Sequence, residues 1–433
     1  MFRFDHLPTP EILTSLPGPR ASALLARDTE FVSASYTRIY PLVVESGSGC
    51  VIEDVDGNRF LDFTAGIAVT NVGHCHPVVT AAICEQAEKL VHMSGTDFYY
   101  RPQIDLAERL AHAAPGPTPK KVFFCNSGAE SVEAGLKLAR RHTHRNRVIA
   151  FLGAFHGRTY GAMSLSASKP VHRRGFGPLV PDIHHVPFPR DGHTGESLRA
   201  IDELFRRTAP PDEVAAIVVE PIQGEGGYRV APSGFLSALR ELCDRHGMLL
   251  MFDEVQSGFG RTGTLFAAEQ FDVEPDILCL AKGIANGLPL GAIVAKSHVM
   301  DWPPGSHAST FGGNPVACRA ALATLDLLKR EYIRNAAWRG EQLRVGLREL
   351  ESQHDSLSDI RGLGLMVAAD LPTSGERDRV IELAFHRGLL LLGCGERALR
   401  FCPPLCVTAE QIETALAILN DVLCEIAEAV AVK

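Results

Sequence analysis

The stretch Gly247–Met248–Leu249–Leu250–Met251–Phe252–Asp253–Glu254–Val255–Gln256 is an apolar run closed by acids. Downstream, Pro275–Asp276–Ile277–Leu278–Cys279–Leu280–Ala281–Lys282–Gly283 is a second apolar run, closed by a lysine. Runs of this length and composition, bounded by Gly or Pro, predict buried strands. The connector between them is long enough for a crossover. Parallel strands joined by crossovers place their C-terminal ends on one sheet edge, where α/β folds bind ligands. Asp253 and Lys282 are therefore expected side by side. Taken singly, the acid would be a turn former and the lysine would carry its head into water.

A desolvated lysine is driven toward its neutral amine. That amine is a nucleophile, and its usual use is a Schiff base with an aldehyde or ketone. A neighbouring carboxylate suits a cofactor with both an aldehyde and a basic ring nitrogen. The lysine holds the aldehyde, and the acid keeps the nitrogen protonated so that the ring accepts electrons. Pyridoxal 5'-phosphate meets both demands.

Working outward, strands and helices alternate. Lys121–Cys125 reads as a strand, and Asn126–Ser127–Gly128–Ala129–Glu130 opens a helix running to about Thr143. Ser127 with Glu130 three residues on forms a capping-box pattern, and the same small residues can turn backbone N–H groups toward a phosphate. Val148–Phe151 and Val214–Glu220 read as strands, Ser233–His246 as an amphipathic helix, and Leu290–Val294 as a further strand. This alternation predicts an α/β fold with a mostly parallel central sheet. Gly258–Phe259–Gly260–Arg261–Thr262–Gly263 matches a dinucleotide fingerprint. It does not directly close a strand, and no ribose-binding acid follows after a next strand, so the nicotinamide reading is set aside.

The flanks differ. Residues 1–30 are proline-rich, predicting an irregular arm and a short helix near Ala21–Phe31. Short strands are expected at Leu42–Glu45, Cys50–Asp54 and Arg59–Asp62, the last two joined by the turn Asp56–Gly57–Asn58. Val78–Met93 and Arg101–Ala114 have helical spacing. Beyond Thr310–Phe311–Gly312–Gly313–Asn314–Pro315, helices are predicted over Pro315–Arg330, Ala336–Gln353 and Glu376–Arg387. A strand region is predicted over Gly362–Leu371, with short strands at Leu389–Leu392 and Leu399–Phe401 and a closing helix over Ala409–Ile426. The expected division is an N-terminal arm and part of a small domain (1–75), a large cofactor-binding α/β domain (76–324), and the C-terminal part of the small α+β domain (325–433).

Composition narrows the function. A chain of 433 residues with 45% hydrophobic and 22% charged residues reads as a soluble globular protein with room for two domains. A net charge of −8 lacks the clustered basic footprint of a nucleic-acid binder. The 11 cysteines show no paired metal spacing, and their odd number without a secretion signal points to a reducing cytoplasm. No apolar window is long enough to span a membrane. His74 and His76 invite a metal reading, but no third ligand follows at a suitable spacing, so no metal is expected.

Seven motifs occur in one order: Asn126–Glu130, Phe155–His156–Gly157–Arg158, Glu220–Gly226, Asp253–Gln256, Gly260–Gly263, Ala281–Gly283 and Thr310–Pro315. On these motifs the chain, from about Tyr40 to Leu423, resembles the class III (ω-) aminotransferases of the pyridoxal-phosphate fold-type I superfamily. It is most similar to 4-aminobutyrate aminotransferases, with acetylornithine and ornithine aminotransferases nearby. The resemblance implies that Lys282 carries the cofactor and Asp253 pairs its ring nitrogen. It further implies that Ser127, Gly128, Ala129 and a partner subunit's Thr310 bind the phosphate, making the enzyme a homodimer or larger. Phe155, where many relatives have Tyr, would stack on the ring, with His156 beside it and Gln256 on the ring hydroxyl. Ile67, Arg158, Glu220, Glu225 and Arg400 would serve the substrate, with Arg158 at a distal carboxylate and Glu225 gating Arg400. The implied reaction moves an amino group from an ω-amino acid, 4-aminobutyrate first, to 2-oxoglutarate. N-acetylornithine or ornithine as donor, and amino-acid racemisation, stand as alternatives; a non-catalytic protein with a relict site is the reading from outside enzymology.

Overall fold

The computed structural model describes residues 2–7, 9–190 and 193–431. At its centre is a seven-stranded sheet in the order Lys120–Cys125, Gly291–Lys296, Ile277–Leu280, Leu249–Asp253, Val214–Val219, Arg147–Phe151, Ile183–Val186. Only Gly291–Lys296 runs against the rest. Every residue of Val214–Val219, Leu249–Asp253 and Ile277–Leu280 is buried, as a sheet covered on both faces demands. Side chains alternate between the faces. Ile149, Ile217, Val219, Leu250, Phe252, Leu278 and Leu280 join one core cluster. Val148, Ala216, Val218, Leu249, Met251, Ile277 and Cys279 join another, with Val132, Leu136 and Ala139 of the helix Gly128–Thr143. That helix lies close on the sheet, since a Cβ at Gly135 would sit 2.6 Å from Met251 Cε.

The strands of Asp253 and Lys282 are parallel neighbours, with Asp253 opposite Cys279. Asp253 closes its strand, and Lys282 stands two residues beyond Leu280, on the same edge.

Two smaller sheets draw on the chain's flanks. One orders Val44–Ser48, Val51–Asp54, Arg59–Asp62 and Leu389–Leu390, so both ends of the chain share it. The other orders Ser358–Leu363, Met366–Asp370, Ala398–Phe401 and Leu392–Cys394.

Four expectations are corrected. The first strand is Val44–Ser48 rather than Leu42–Glu45. Gly362–Leu371 is not one strand, because the chain reverses at Gly364, whose φ is +53°. Leu389–Leu392 is split between the two small sheets, where single-strand pairing was expected. The helices expected over Pro315–Arg330 and Ala336–Gln353 have other bounds, Pro315–Leu327 and Ile333–Glu351, and are joined by a π-turn over Leu328–Tyr332. Among the described residues no helix is long and apolar enough to cross a membrane.

Candidate active site

A cavity of about 430 Å³ opens at the C-terminal edge of the central sheet. Lys282, Asp253, Ser127, Gly128, Ala129, Phe155, His156, Arg158, Glu220, Glu225 and Gln256 all line it. Residues far apart in sequence meet there because each follows a strand that ends on this edge.

Asp253 is buried at its strand end. Its Oδ1 accepts the Val255 N–H at 3.0 Å, and its Oδ2 lies 2.7 Å from Nδ1 of His156. The His156 backbone is fixed by its N–H, which donates to Ser166 Oγ at 2.8 Å. Burial pushes the His156 imidazole down, but the hydrogen bond and charge of Asp253, with the charge of Glu220, outweigh it and raise its pKa. The other ring nitrogen, Nε2, is buried without a partner. Glu220 accepts the N–H groups of Phe155 at 3.1 Å and Gly224 at 3.0 Å. Burial, with His156 opposing and Asp253 adding, pushes its carboxyl up to about 7.

Lys282 begins a short 3-10 turn with a left-handed backbone, φ +45°. Such a conformation costs a non-glycine residue about 1–2 kcal/mol, and strain of this kind gathers at functional sites. Burial pushes its amine down and Arg400 adds to this, while Asp253, Glu225 and Glu220 pull the other way. The net effect favours the neutral, nucleophilic form.

Ser127 caps the helix Gly128–Thr143, accepting the Glu130 N–H at 3.2 Å. The expected reciprocal bond reaches one residue further back, for Glu130 Oε2 accepts the Asn126 N–H at 2.7 Å. A Cβ at Gly128 would sit 2.7 Å from Val255 Cγ1, so the turn has room for glycine. Ser127, Gly128 and Ala129 line the cavity at the start of this helix, where the first backbone N–H groups lack intrahelical acceptors and suit an anion.

Phe155 lies in the wall, with the Arg158 guanidinium 5.6 Å from its ring centre and the His172 ring edge-on at 5.1 Å. Gln256 Oε1 is buried without a partner. Arg400, on the strand Ala398–Phe401, donates from Nη1 to Glu225 Oε1 at 2.7 Å. Glu225 Oε2 also lies 3.6 Å from Lys169 Nζ. Burial pushes Glu225 up, but the charges of Arg400 and Lys169, the Arg400 hydrogen bond and Lys282 outweigh it and hold the carboxyl low.

Ile67, Thr310 and Arg400 lie outside this cavity's lining, with Arg400 joined to it through Glu225. Ile67 is 47% exposed within a left-handed turn in which Ala65, Gly66, Ile67 and Ala68 all have positive φ. Thr310 is exposed. Sequence reasoning missed Lys169, whose neighbours Ser168 and Pro170 form no motif, and Tyr228, buried beside Cys402 behind Arg400. Val69, Leu288 and Pro289, which are also in the lining, carried no signal beyond being apolar.

The remaining motifs have structural partners. Arg261, from the glycine-rich stretch, is fully buried and donates to Asn71 Oδ1 at 2.8 Å, Leu365 O at 3.1 Å and Pro403 O. It thereby ties the Asp253 loop to the C-terminal sheet. His74 pairs with Asp62 at 2.7 Å and His76 with the Tyr332 hydroxyl at 3.1 Å.

The donor set fits pyridoxal phosphate. It offers a helix N-terminus for a phosphate, an unpartnered amide oxygen for a hydroxyl, a buried carboxylate, an aromatic face and a depressed lysine. A family model described as Aminotransferase class-III matches residues 31–423. The chain is 45% identical to an acetylornithine aminotransferase of Methanopyrus kandleri, covering 90% of this chain and 96% of that one. It is 40% identical to a 5-aminovalerate aminotransferase of Pseudomonas aeruginosa, covering 94% and 99%. Among solved structures, the ornithine aminotransferase from Toxoplasma gondii superposes with a TM-score of 0.87 at 33% identity, covering 94% of this chain and 96% of that one.

Proposed function

The chain belongs to the class III aminotransferases, a pyridoxal-phosphate-dependent family, and from that premise we propose that it moves the terminal amino group of an ω-amino acid, 4-aminobutyrate first, to 2-oxoglutarate. The observation that carries this reading is the 2.7 Å pair of Glu225 and Arg400, both close enough to Lys282 to act on its charge, with Glu225 in the cavity wall.

When bound, pyridoxal phosphate supplies the aldehyde that takes up the amino group and the ring that accepts the electron pair of the broken C–H bond. Lys282 Nζ would hold the aldehyde carbon at rest. Once released, it would take the proton from the substrate carbon and deliver it to the cofactor carbon that had carried the aldehyde, which its depressed pKa favours. Asp253, oriented by His156 and the Val255 N–H, would hold the proton on the ring nitrogen. The helix N-terminus at Ser127, Gly128 and Ala129 would bind the phosphate. Gln256 would accept from the ring hydroxyl, and Phe155 would cover a ring face.

Two kinds of substrate must share this site. L-glutamate has a carboxylate beside its amine; an ω-amino acid has none there. A buried arginine left unpaired is costly. Glu225 neutralises Arg400 while the ω-amino acid reacts and yields it to the α-carboxylate of glutamate. Arg158, exposed at the mouth, would meet the distal carboxylate, with Ile67 at the entrance and Glu220 ordering the gate loop through its bond to Gly224. Thr310 would reach the cofactor phosphate of a second subunit, making a homodimer or larger assembly. The chain would divide at residues 75 and 324 into a cofactor-binding domain and a small domain built from both ends.

N-acetylornithine or ornithine as donor is the second reading, favoured by the 45% identity to the Methanopyrus kandleri protein. The deciding test adds single substrates to the holoenzyme without a keto acid and follows the cofactor absorbance. Conversion with 4-aminobutyrate but not the ornithines supports the first reading, and the reverse supports the second. An unchanged absorbance, with an added amino acid losing its optical activity, would replace both with racemisation.

A further inference from the structure

We infer that Lys169 is the second seat of the Glu225 carboxylate, the cation that receives it when an α-carboxylate displaces it from Arg400. The inference rests on the two-substrate reading above. It starts from an asymmetry around one carboxylate: Oε1 faces Arg400 at 2.7 Å and Oε2 faces Lys169 at 3.6 Å.

The two cations differ in freedom. The Arg400 side chain is 5% exposed, and it sits in a strand between Met366–Asp370 and Leu392–Cys394. It cannot follow a departing carboxylate. Lys169 is 39% exposed, with a flexible four-carbon stem. It precedes the short turn Pro170–His172, which is held near the cavity by the Ser168 Oγ to His172 Nδ1 contact at 3.1 Å and by the packing of His172 on Phe155. The loop is anchored while the lysine head is free to move.

The Glu225 backbone is also anchored, because its carbonyl accepts the Gly395 N–H at 2.8 Å. Opening is then a side-chain rotation. A carboxylate leaving Arg400 without a new partner would remain desolvated and unpaired, which is costly. Lys169 already touches the far oxygen, so the rotation exchanges one cation for another. Arg158 lies over the Phe155 ring, and Lys282 is occupied by the chemistry. Among the described residues, Arg400 and Lys169 are the cations in ion pairs with Glu225.

The test compares wild type, Lys169→Gln and Lys169→Arg as holoenzymes. Single-turnover rates are measured with L-glutamate and, separately, with whichever of 4-aminobutyrate or N-acetylornithine the wild type accepts. The dissociation constant of glutarate, an unreactive dicarboxylate, is read from the cofactor spectrum. In Lys169→Gln the glutamate rate and glutarate affinity should each fall about fivefold more than the ω-amino rate, the worth of a partly exposed ion pair, and Lys169→Arg should restore both. Unchanged ratios, or equal losses in both half-reactions, would overturn the role of Lys169. A wild type that accepts neither glutamate nor glutarate would instead overturn the two-substrate reading.

Discussion

Nδ1 of His156 and Oδ2 of Asp253 lie 2.7 Å apart, and both side chains are buried. The pair fixes the acid that would face the cofactor's ring nitrogen. A hydrogen bond to a charged group contributes about 1.5–3 kcal/mol. His156→Ala is therefore expected to weaken cofactor binding by roughly tenfold or more. Equilibrium titration of the apoprotein with pyridoxal phosphate reads this directly, and an unchanged dissociation constant would remove His156 from the site.

Lys282 and Asp253 have separable roles. Lys282→Ala should bind the cofactor without covalent attachment. Borohydride reduction and peptide mapping should then place the label on Lys282 in wild type and nowhere in the variant. Asp253→Asn should keep the attachment but slow transamination by at least about 100-fold, since the neutral amide no longer favours the protonated ring. Retention of wild-type turnover by either variant would overturn the assignment.

Asp253 and Lys282 were legible because a buried parallel strand must be a continuous apolar run, and its end must point to one edge. Ser127 and Gly128 were legible because a helix start needs a cap and a close turn needs glycine. Lys169 was not, because its contact with Glu225 joins two loops that carry no shared period. The reversal at Gly364 was hidden because one glycine between apolar residues also fits an uninterrupted strand. The π-turn at Leu328–Tyr332 was missed because Glu331 and the residues around it look like a polar break, while Leu328 and Tyr332 are in fact buried. Ile67 was expected at the entrance from resemblance alone; no local rule places a β-branched residue at φ +67°.

Glu225→Ala removes the group that neutralises Arg400 in the absence of an α-carboxylate. The ω-amino half-reaction should fall by at least about tenfold, the effect of leaving a buried charge unpaired, while glutamate loses far less. Separate single-turnover measurements with the two donors give the ratio. Equal losses would count against a gate.

A packing prediction concerns Gly340, in the helix Ile333–Glu351. A Cβ there would lie 2.0 Å from the Gly364 carbonyl oxygen, a backbone atom that no side-chain rotation can move away. Gly340→Ala should destabilise the chain by about 1–3 kcal/mol despite its better helix propensity. Urea unfolding of the two proteins decides it; a stabilised variant would show that helix and hairpin part more easily than their contact implies.

Glu254 sets a pH dependence of stability. It is fully buried and accepts the N–H groups of Ala267 at 2.5 Å and Ala268 at 2.8 Å. Burial nevertheless pushes its carboxyl up from 4.5 to about 7, against those hydrogen bonds and Ser257. The folded chain thus holds this proton more tightly than the unfolded chain. Its contribution is complete below the unfolded value and is lost as pH rises through about 7. The full change is on the order of 3 kcal/mol. Glu220, also raised to about 7, acts in the same direction. Glu254→Gln has no proton to lose, so its stability should decline less than that of wild type between about pH 5 and about pH 8. Parallel urea titrations across that range measure the two slopes. Identical slopes would mean that Glu254 is ionised in the folded protein throughout and that the Ala267 and Ala268 N–H groups outweigh its burial.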